Sequence, residues 1–380
     1  MYNLTLEINQ ICNLKCRYCY LGDQNGKRMN IETAKLAINM ALDIVARQKE
    51  KILYVNFVGG EVLLDFEMVK NVVKYMEEHN NIQNVKIVYS ITTNATLLSE
   101  EIIDYICDKN FNVKISLDGK KEINDLNRVG SQYSVHDCII EKLPLLKKYE
   151  EQTNKYTQVT NVITGNNYKN YYDSLVYLTD CLGFKIIDTA LDSSYPWNME
   201  ELAELELQIR KSLDYFAKAL EQGVGFFWTF ADDLIKAKEK HKKFYSCGAG
   251  IISSYIKNNG DIFPCVGCLD DCVILGNVEF GIDKEKQINL ENINSIDNEI
   301  CNRCELYDYC TEKACIMENI SLSGDKNKVV PLMCYMRKLK DRLYNENGIL
   351  MNRWKLQTAT FCGQQGRISR PVRAILNGQF

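Results

Sequence analysis

The sequence has no long apolar run and no excess of charge of one sign. Without about 18 consecutive apolar residues, no membrane-spanning helix is expected. Residues 1–8 alternate apolar and polar side chains and lack the basic-then-apolar pattern of a secretion signal. The 46 Lys and Arg residues against 50 Asp and Glu residues leave a net charge of −4, which gives no reason to expect nucleic-acid binding. We therefore expect a cytoplasmic protein without a nucleic-acid or membrane partner.

Two patterns of catalytic chemistry are also missing. No glycine-rich phosphate fingerprint of the Rossmann type follows the first predicted strand. The three histidines, His79, His136 and His241, show neither a metal-ligand pattern nor a catalytic-triad pattern. We expect them to be ordinary surface residues.

What the sequence does have is 16 cysteines. A reducing cytosol does not maintain a disulfide framework, so clustered cysteines there are more often metal ligands or catalytic residues. Cys107, Cys138 and Cys181 stand alone in apolar helical patterns, and we expect them to be small buried side chains. Most of the others fall in short-spaced sets, namely Cys12/Cys16/Cys19, Cys265/Cys268/Cys272 and Cys301/Cys304/Cys310/Cys315.

The first two hundred residues alternate between predicted strands and predicted helices. One helix is expected from Ser99, whose hydroxyl suits an N-cap, and another over residues 135–149. Strand–helix units in series imply parallel strands joined by right-handed crossovers. The predicted fold class is therefore α/β, a partial (β/α)6 TIM-like barrel. Its six strands are expected at residues 1–8, 52–58, 85–92, 111–117, 156–163 and 184–191.

Four unusual motifs follow predicted strands. They are the Cys12/Cys16/Cys19 loop, Gly59-Gly60-Glu61, Thr93-Asn94 and Asp118-Gly119. In parallel α/β folds the chemistry lies on loops after the carboxyl ends of the strands. We therefore expect all four motifs to share one rim of the barrel.

The first cysteine set has the spacing Cys-x3-Cys-x2-Cys. Three thiolates can bind three irons of a cubane cluster and leave the fourth iron open to a small molecule. Zinc is the alternative for closely spaced cysteines. Structural zinc sites, however, want four ligands, usually as two matched pairs, and no fourth Cys or His lies near this loop in sequence.

The stretch Ile11-Cys12-Asn13-Leu14-Lys15-Cys16-Arg17-Tyr18-Cys19-Tyr20 resembles the signature of the radical S-adenosylmethionine (SAM) superfamily. The resemblance covers nearly the whole chain and implies a [4Fe-4S] cluster on the three cysteines that opens SAM reductively to a 5′-deoxyadenosyl radical. Gly59-Gly60-Glu61 is similar to the family's Gly-Gly-Glu stretch, which implies that Gly60 and Glu61 receive the SAM amino group. Val62 stands where proline is usual.

Further positions resemble the family's SAM contacts. Tyr18 would pack near the adenine, with an ordinary rim aromatic as the alternative reading. Ser116 and Arg128 resemble the ribose and carboxylate contacts, and a hydroxyl and a forked guanidinium suit those groups. Thr93-Asn94 is expected to line the same pocket, and Leu191 falls where relatives line the adenosine site.

From about residue 240 the chain has little continuous apolar pattern, which indicates a region held together by metal sites. Its cysteine spacing is similar to the SPASM domain, the C-terminal iron–sulfur domain of radical SAM enzymes that modify peptides and proteins. The last spacing is one residue longer than usual. The predicted domains are residues 1–225 (barrel), 240–345 (SPASM domain) and 346–380 (a basic tail).

The resemblance implies two auxiliary [4Fe-4S] clusters beside the SAM-binding one. The resemblance gives the first auxiliary cluster only three ligands, one fewer than a [4Fe-4S] cluster can bind. Either Cys268 or Cys272 is the fourth ligand, or one iron stays open for a substrate thiolate. We expect a protein ligand and name Cys268. Zinc is the alternative, since paired cysteines at long separation also suit zinc. The implied ligands are Cys247, Cys265 and Cys315 for the first cluster and Cys301, Cys304, Cys310 and Cys334 for the second.

An aspartate shortly after Cys265 acts as general base in anaerobic sulfatase maturases. Of Asp270 and Asp271, Asp271 has the closer spacing, which implies that it is the catalytic residue. A base beside a cluster takes a proton as an electron leaves to iron. A solvated acidic turn is the alternative.

The resemblance implies an enzyme, a radical SAM oxidoreductase acting on a peptide or protein. The leading hypothesis is a maturase that abstracts hydrogen from a ribosomally made precursor peptide and forms a thioether or another cross-link. The alternative is an anaerobic sulfatase-maturating enzyme, which oxidises Cys or Ser to formylglycine. A non-catalytic metal-binding or redox-sensing protein would explain the cysteines but not the rim motifs. The expected partners are the precursor peptide and a reductant such as flavodoxin or ferredoxin; the need for a separate peptide-recognition protein stays open.

Overall fold

The computed structural model describes residues 1–22, 26–80, 84–240, 244–245, 247–348 and 350–354. His241 and the basic residues of the predicted tail, from Lys355 onward, lie outside the described residues. In the described ranges, no helix is both long enough and apolar enough to cross a membrane.

The chain alternates between strands and helices through its first two hundred residues, as the pattern predicts. The strands are β1 (Tyr2–Asn9), β2 (Leu14–Cys16), β3 (Ile52–Gly59), β4 (Lys86–Thr93), β5 (Asn112–Ser116), β6 (Arg128–Gly130), β7 (Gln158–Ile163), β8 (Ile186–Leu191), β9 (Phe227–Trp228), β10 (Ser253–Ile256), β11 (Asp261–Phe263), β12 (Gly276–Asn277) and β13 (Gly281–Ile282).

Helices connect the strands and cover the sheet. The α-helices are α1 (Ile31–Ala46), α2 (Phe66–Asn80), α3 (Glu100–Asp108), α4 (Lys121–Asn127), α5 (Val135–Glu141), α6 (Leu143–Thr153), α7 (Tyr171–Val176), α8 (Met199–Glu221), α9 (Thr229–Lys236), α10 (Lys284–Glu291), α11 (Glu299–Asn302), α12 (Ile316–Ser323) and α13 (Pro331–Glu346). Short 3₁₀ turns lie at Val62–Asp65, Tyr168–Asn170, Asp271–Val273, Tyr307–Tyr309 and Glu312–Ala314, and a π turn at Tyr177–Cys181.

One sheet carries the predicted partial barrel. Its strand order is β13-β12-β11-β10-β1-β3-β4-β5-β7-β8-β9, and every pair from β10 to β9 is parallel. The six predicted strands follow chain order, so the α/β fold class and the open parallel arrangement are confirmed. Both faces of such a sheet are covered by other elements, which is why Leu6 and Ile8 on one face of β1 and Glu7 on the other are all fully buried.

The sheet continues into the cysteine-rich region. Strand β10 pairs in parallel with β1, Thr5 opposite Tyr255, and β11 to β13 extend the same edge in antiparallel fashion. A second, smaller apolar core forms there around Tyr245, Tyr255 and Phe263. The division at residues 225 and 240 stays a prediction, and this edge of the sheet belongs to both predicted domains.

Local signals explain several helix boundaries. Ser99 caps α3 as expected, since its hydroxyl accepts a hydrogen bond from the Ile102 N–H at 3.3 Å. The single helix expected over residues 135–149 is two helices, α5 and α6. Pro144 lies in the first turn of α6, where its missing N–H costs nothing, whereas inside one continuous helix it would break a hydrogen bond.

Two expectations about exposure are wrong. His136 is buried, only 8% exposed, because α5 packs its ring against the π turn, where Nε2 lies 2.8 Å from the Tyr177 hydroxyl. Cys181 ends that π turn on the surface and is exposed, while Cys107 and Cys138 are half-buried. His79 is exposed, as predicted.

Candidate cofactor sites

The first cysteine loop is tied to a distant segment by a two-stranded ribbon. Strand β2 runs through the loop and pairs antiparallel with β6, which places Cys16 opposite Arg128. The Arg17 N–H also donates to the Asn127 carbonyl at 2.9 Å. The cysteine loop and the predicted carboxylate-binding arginine are therefore brought together by backbone pairing.

The three thiols of this loop lie close enough to act on one another's charge. Burial raises the pKa of Cys16 to about 11; the charge of Arg128 opposes this rise, and Cys12 and Cys19 add to it. The Cys12 sulfur accepts hydrogen bonds from the Leu14 N–H at 3.4 Å and the Asn94 side-chain amide at 3.8 Å. Three adjacent sulfurs held by a loop fit the ligand set of a cluster with one open iron.

The paired glycines allow the β3 loop to lie against the cysteine loop. The Glu61 N–H donates to the Ile11 carbonyl at 2.7 Å, and the Gly60 N–H donates to the Asn9 carbonyl at 2.9 Å. A Cβ at Gly60 would lie 2.3 Å from the Ile11 oxygen, and one at Gly59 would lie 2.6 Å from the Asn9 oxygen. Only glycine tolerates this approach of two backbones.

Glu61 is a buried junction between two loops. Its Oε1 accepts from the Leu63 N–H at 3.0 Å and the Thr93 hydroxyl at 2.6 Å, and its Oε2 accepts from the Asn94 N–H at 2.7 Å. Burial raises the pKa of Glu61, and these three hydrogen bonds oppose the rise. Thr93 and Asn94 thus lie at the same rim as Glu61. One carboxylate has about four acceptor positions, so Oε2 has room for another donor.

Asp118 lies on the predicted rim and binds Tyr18 and Arg128, a role that the sequence analysis did not assign to it. Its Oδ1 accepts from the Arg128 guanidinium at 2.9 Å and from the Val162 N–H at 2.9 Å, and its Oδ2 accepts from the Tyr18 hydroxyl. Burial lowers the pKa of Arg128, but the charges of Asp118, Tyr18 and Cys16 and the hydrogen bond to Asp118 together outweigh it, so the pKa is raised overall. Gly119, which follows Asp118, has a φ of 146°, and a Cβ there would lie 2.3 Å from the Ser174 hydroxyl oxygen, so only glycine fits at this position.

The remaining predicted SAM contacts lie at the same ends of the strands. Ser116 is the last residue of β5 and Leu191 the last of β8, and both are half-buried. The Arg128 guanidinium carbon lies 5.3 Å from the centre of the Tyr18 ring. The rim predicted from the strand–loop pattern is therefore present in the structure; the individual SAM contacts stay predictions.

The first auxiliary set is Cys247, Cys265 and Cys315, which lie near Tyr245. Burial is the main reason that the pKa of Tyr245 is raised, and the charges of the three thiols add to the rise. Burial also raises the pKa of Cys265 to about 11, while the N–H groups of residues 267 and 268 oppose the rise by donating to its sulfur. Cys268 is 1% exposed, and the charge of its thiol further raises the pKa of Cys265.

The other two candidates near this set lie at the surface. Cys272 is exposed in the short turn Asp271–Val273, and Asp270 caps that turn by accepting from the Cys272 N–H at 2.9 Å. The predicted base, Asp271, is likewise exposed at the start of the turn. Cysteine spacing left both Cys268 and Cys272 as candidates for the fourth ligand. They differ in burial, since Cys268 is buried and Cys272 is exposed.

The second auxiliary set lines one cavity of about 270 Å³. All four thiols line this cavity. Burial is the main cause that raises the pKa of Cys301, and the charges of Cys310, Cys334 and Cys304 add to the rise. Four thiols around a cavity larger than a single ion suit a multi-atom iron–sulfur cluster. Among the described residues, no three His, Cys, Asp or Glu side chains lie close enough together to hold one metal ion.

A parallel α/β sheet, a Cys-x3-Cys-x2-Cys loop after its first strand and a Gly-Gly-Glu loop packed on it define a class of protein, the radical SAM enzymes. The family model of the radical SAM superfamily matches residues 6–170. An uncharacterized protein of Methanocaldococcus jannaschii, MJ0907, is 31% identical over 288 residues, which is 75% of this chain and 91% of that protein. The chain belongs to the radical SAM superfamily.

Other similarities extend over most of the chain. The cysteine-type anaerobic sulfatase-maturating enzyme of Clostridium novyi (strain NT) is 25% identical over 324 residues, 79% of this chain and 83% of that enzyme. The structure of native anSMEcpe with bound AdoMet superposes with a TM-score of 0.74 at 20% identity, covering 92% of this chain and 98% of the other. Streptococcus suis SuiB bound to its precursor peptide SuiA gives 0.60 at 17% identity, covering 88% and 75%. These two structures share the fold.

Proposed function

We propose that this radical SAM enzyme modifies a peptide or protein substrate by abstracting a hydrogen atom from it. The observation that carries the proposal is one rim that joins the Cys12/Cys16/Cys19 loop, Gly60 and Arg128, in a chain similar to a sulfatase-maturating enzyme over 83% of that enzyme's length. A cluster with SAM bound supplies the radical that abstracts the hydrogen atom. The protein's own residues bind, orient and shield.

Cys12, Cys16 and Cys19 hold the SAM-binding cluster in this proposal. Gly60 and Oε2 of Glu61 receive the SAM amino group, since Oε1 already accepts two hydrogen bonds. The remaining contacts to SAM are assigned to Tyr18, Thr93, Asn94, Ser116, Arg128 and Leu191. Arg128 keeps its bond to Asp118 and offers its other nitrogens to the SAM carboxylate, because Nε is buried and has no hydrogen-bond partner among the described residues.

Two auxiliary clusters accept electrons in the proposed enzyme. The buried position of Cys268 beside Cys265 supports Cys268 as the fourth ligand of the first cluster. Asp271 is the proposed base near that cluster, and its exposure leaves its carboxylate open to a docked substrate. A small reductant such as flavodoxin or ferredoxin supplies electrons. The assigned ligands are Cys247, Cys265, Cys268 and Cys315 for the first cluster and Cys301, Cys304, Cys310 and Cys334 for the second.

Two reactions are candidates for the substrate. In the first, a peptide cysteine forms a thioether with a carbon that has lost hydrogen, so two hydrogens leave and the sulfur stays. In the second, a Cys becomes formylglycine, so sulfur leaves and an aldehyde oxygen enters. The exposed extra thiol of Cys272 beside the first auxiliary set favours the first reaction. Similarity along most of a cysteine-type sulfatase-maturating enzyme favours the second.

The test begins with the anaerobically reconstituted protein, SAM and dithionite, with and without cysteine-containing peptides. Released 5′-deoxyadenosine is measured for the wild type and for Cys12/Cys16/Cys19→Ala. The matched control is Cys107/Cys138/Cys181→Ala, which removes three cysteines outside all the sets. We expect release by the wild type and the control only. No release by fully iron-loaded wild type with any peptide would contradict the proposal.

The peptide products separate the two reactions by mass. One peptide set carries a Cys in a sulfatase-type context, and the other carries several cysteines as in a cross-linked precursor. Loss of two hydrogens with retained sulfur identifies the thioether, and replacement of sulfur by an aldehyde oxygen identifies formylglycine. An aldehyde-reactive probe then labels only the second product.

A further inference from the structure

The cavity of the second auxiliary set contains two buried cations. Lys313 is 5% exposed and Arg337 is 3% exposed, and both line the same space as the four thiols. Lysine and arginine are almost never this buried unless they are paired with an anion. Their partners in the folded chain are therefore informative.

Both cations are held by backbone carbonyls. The Lys313 ammonium donates to the carbonyls of Tyr307 and Cys310, the latter at 3.3 Å. Carbonyl oxygens orient the ammonium but do not neutralise its charge.

Arg337 is held in the same way and is left incomplete. Its Nε donates to the Tyr309 carbonyl at 3.2 Å and its Nη2 to the Ala237 carbonyl. Its Nη1 is buried and has no hydrogen-bond partner among the described residues. The guanidinium therefore keeps one donor unused at the cavity.

No carboxylate in the described part of the chain forms an ion pair with either cation. The nearest candidate, Glu312, lies 3.9 Å from Lys340 instead, and Asp308 pairs on the surface with Lys240 at 3.3 Å. A buried charge without a counter-charge costs several kcal/mol or more. The Lys313 ammonium lies 3.9 Å from the centre of the Tyr307 ring. The thiols of Cys310 and Cys301, together with the carboxylate of Asp308, act on its charge. Both cations line the cavity that the four thiols also line.

We propose that Lys313 and Arg337 are the counter-charges of the second auxiliary cluster, with Arg337 Nη1 donating to the cluster or its thiolates. This inference rests on the proposed function, which places a cluster on Cys301, Cys304, Cys310 and Cys334. A thiolate-bound cluster is anionic and gains one more negative charge when it is reduced. Buried cations and hydrogen bonds to sulfur stabilise the reduced form. The two residues are positioning residues that bias this cluster toward accepting an electron.

The experiment is a reductive titration of the full chain in a Cys12/Cys16/Cys19→Ala background, followed by electron paramagnetic resonance with the iron content measured in parallel. The signal of the second cluster is assigned by its loss in an added Cys301/Cys304→Ala variant. Arg337→Gln removes the charge, and Arg337→Lys keeps it. Arg303→Gln is the matched control, because Arg303 lies between two of the cysteines but its side chain is 83% exposed.

At a potential that half-reduces the parent cluster, Arg337→Gln is expected to lower the ratio of reduced to oxidised cluster about tenfold, an effect of order 1.4 kcal/mol. Arg337→Lys and Arg303→Gln should stay near the parent ratio. An unchanged ratio in iron-loaded Arg337→Gln overturns the inference and leaves the proposed function intact. If Cys301/Cys304→Ala loses no iron, the cluster assignment itself fails, and the inference fails with it.

A folding defect is separated by a second pair of variants. Arg337→Gln also removes donors from two carbonyls, so the protein could lose iron for packing reasons. Lys313→Gln and Lys313→Arg repeat the comparison from the other side of the cavity. Iron loss or a lowered ratio in the Gln variant with rescue by Arg supports a role of charge. Equal loss in both variants assigns the residues to packing and overturns the inference.

Discussion

Two buried arginines lie beside cysteine sets, and they differ in whether a carboxylate neutralises their charge. Arg128 lies opposite Cys16 and forms an ion pair with Asp118 at 2.9 Å, a carboxylate that is fully buried. Arg337 lies beside the second auxiliary set, and among the described residues only carbonyls accept hydrogen bonds from it. At the first site the protein supplies its own counter-charge. At the second site no carboxylate of the described residues neutralises the arginine, so its charge is available to the group that the thiols bind.

The same contrast holds for the backbone that carries the thiols. Cys12, Cys16 and Cys19 follow β1 and are tied by β-pairing and by the Gly-Gly loop of β3. The second auxiliary thiols lie on short helices and turns, such as α11, with little sheet around them. The first site is prearranged by the sheet, whereas the second depends on its ligand to hold it together.

The largest effect is expected from Gly60→Ala, which breaks the first site only. The new Cβ would lie 2.3 Å from the Ile11 carbonyl oxygen, so one of the two backbones has to shift. A shift of about 1 Å in the cysteine loop should reduce 5′-deoxyadenosine formation by about 100-fold. The auxiliary clusters should keep their iron.

Gly348→Ala is the control for Gly60→Ala. It adds the same methyl group at a position where the new Cβ would meet no other part of the described residues within 4 Å. Unchanged 5′-deoxyadenosine formation by Gly60→Ala would mean that the two loops are not packed as described.

The next largest effect concerns the first auxiliary set, where burial distinguishes two thiols. Cys268→Ala should lose one cluster, about four iron atoms per chain, because Cys268 is buried beside Cys265. Cys272→Ala should keep its iron, because Cys272 is exposed on a surface turn. Iron analysis of both variants decides the assignment. Full iron in both would mean an open iron at this set, and loss in Cys272→Ala alone would reverse the roles.

A smaller effect separates the two arginines by stability. Arg128→Met leaves Asp118 as an uncompensated buried charge and should lower the free energy of unfolding by about 3–5 kcal/mol. In the metal-free protein, Arg337→Met leaves two carbonyls without a donor, which costs about 1–3 kcal/mol, but it also removes a buried charge that lacks a counter-charge, so the net cost should lie below that range. Urea unfolding under anaerobic conditions measures both. The double variant Arg128→Met/Asp118→Asn should recover about half of the loss, and no recovery would argue against the ion pair as the cause.

The sequence predicted what depends on local pattern. Strand periodicity gave the six parallel strands, and cysteine spacing gave thiol sets that the fold brings together. It placed Asp118 on the rim but did not predict its contacts, because its partners Tyr18 and Arg128 lie 100 and 10 positions away from it in the sequence. Nor did it predict that Lys313 is buried, since lysine is usually exposed and its surroundings come from separate segments.

Lys155 provides a case of a half-buried cation without any cysteine set. Its ammonium donates to the carbonyls of Asn110 and Phe111, much as Lys313 does to its own carbonyls, and burial lowers the pKa of Lys155 from 10.5 to about 8. Above that pKa the folded protein is neutral at this position while the unfolded chain still holds the proton. The unfolded state then binds more protons, so stability rises with pH from about 8 toward the unfolded value.

The smallest predicted effect follows from this pH dependence. Between about pH 7.5 and pH 9, the wild type should gain about 1 kcal/mol of unfolding free energy relative to Lys155→Met, after allowance for partial solvent exposure. Lys155→Arg should show no such gain, because arginine stays charged across this range. Urea unfolding at both pH values measures the difference. Equal pH slopes in all three proteins would show that two carbonyls are enough to keep a half-buried lysine charged, which would weaken the reason for assigning Lys313 to an anionic cluster.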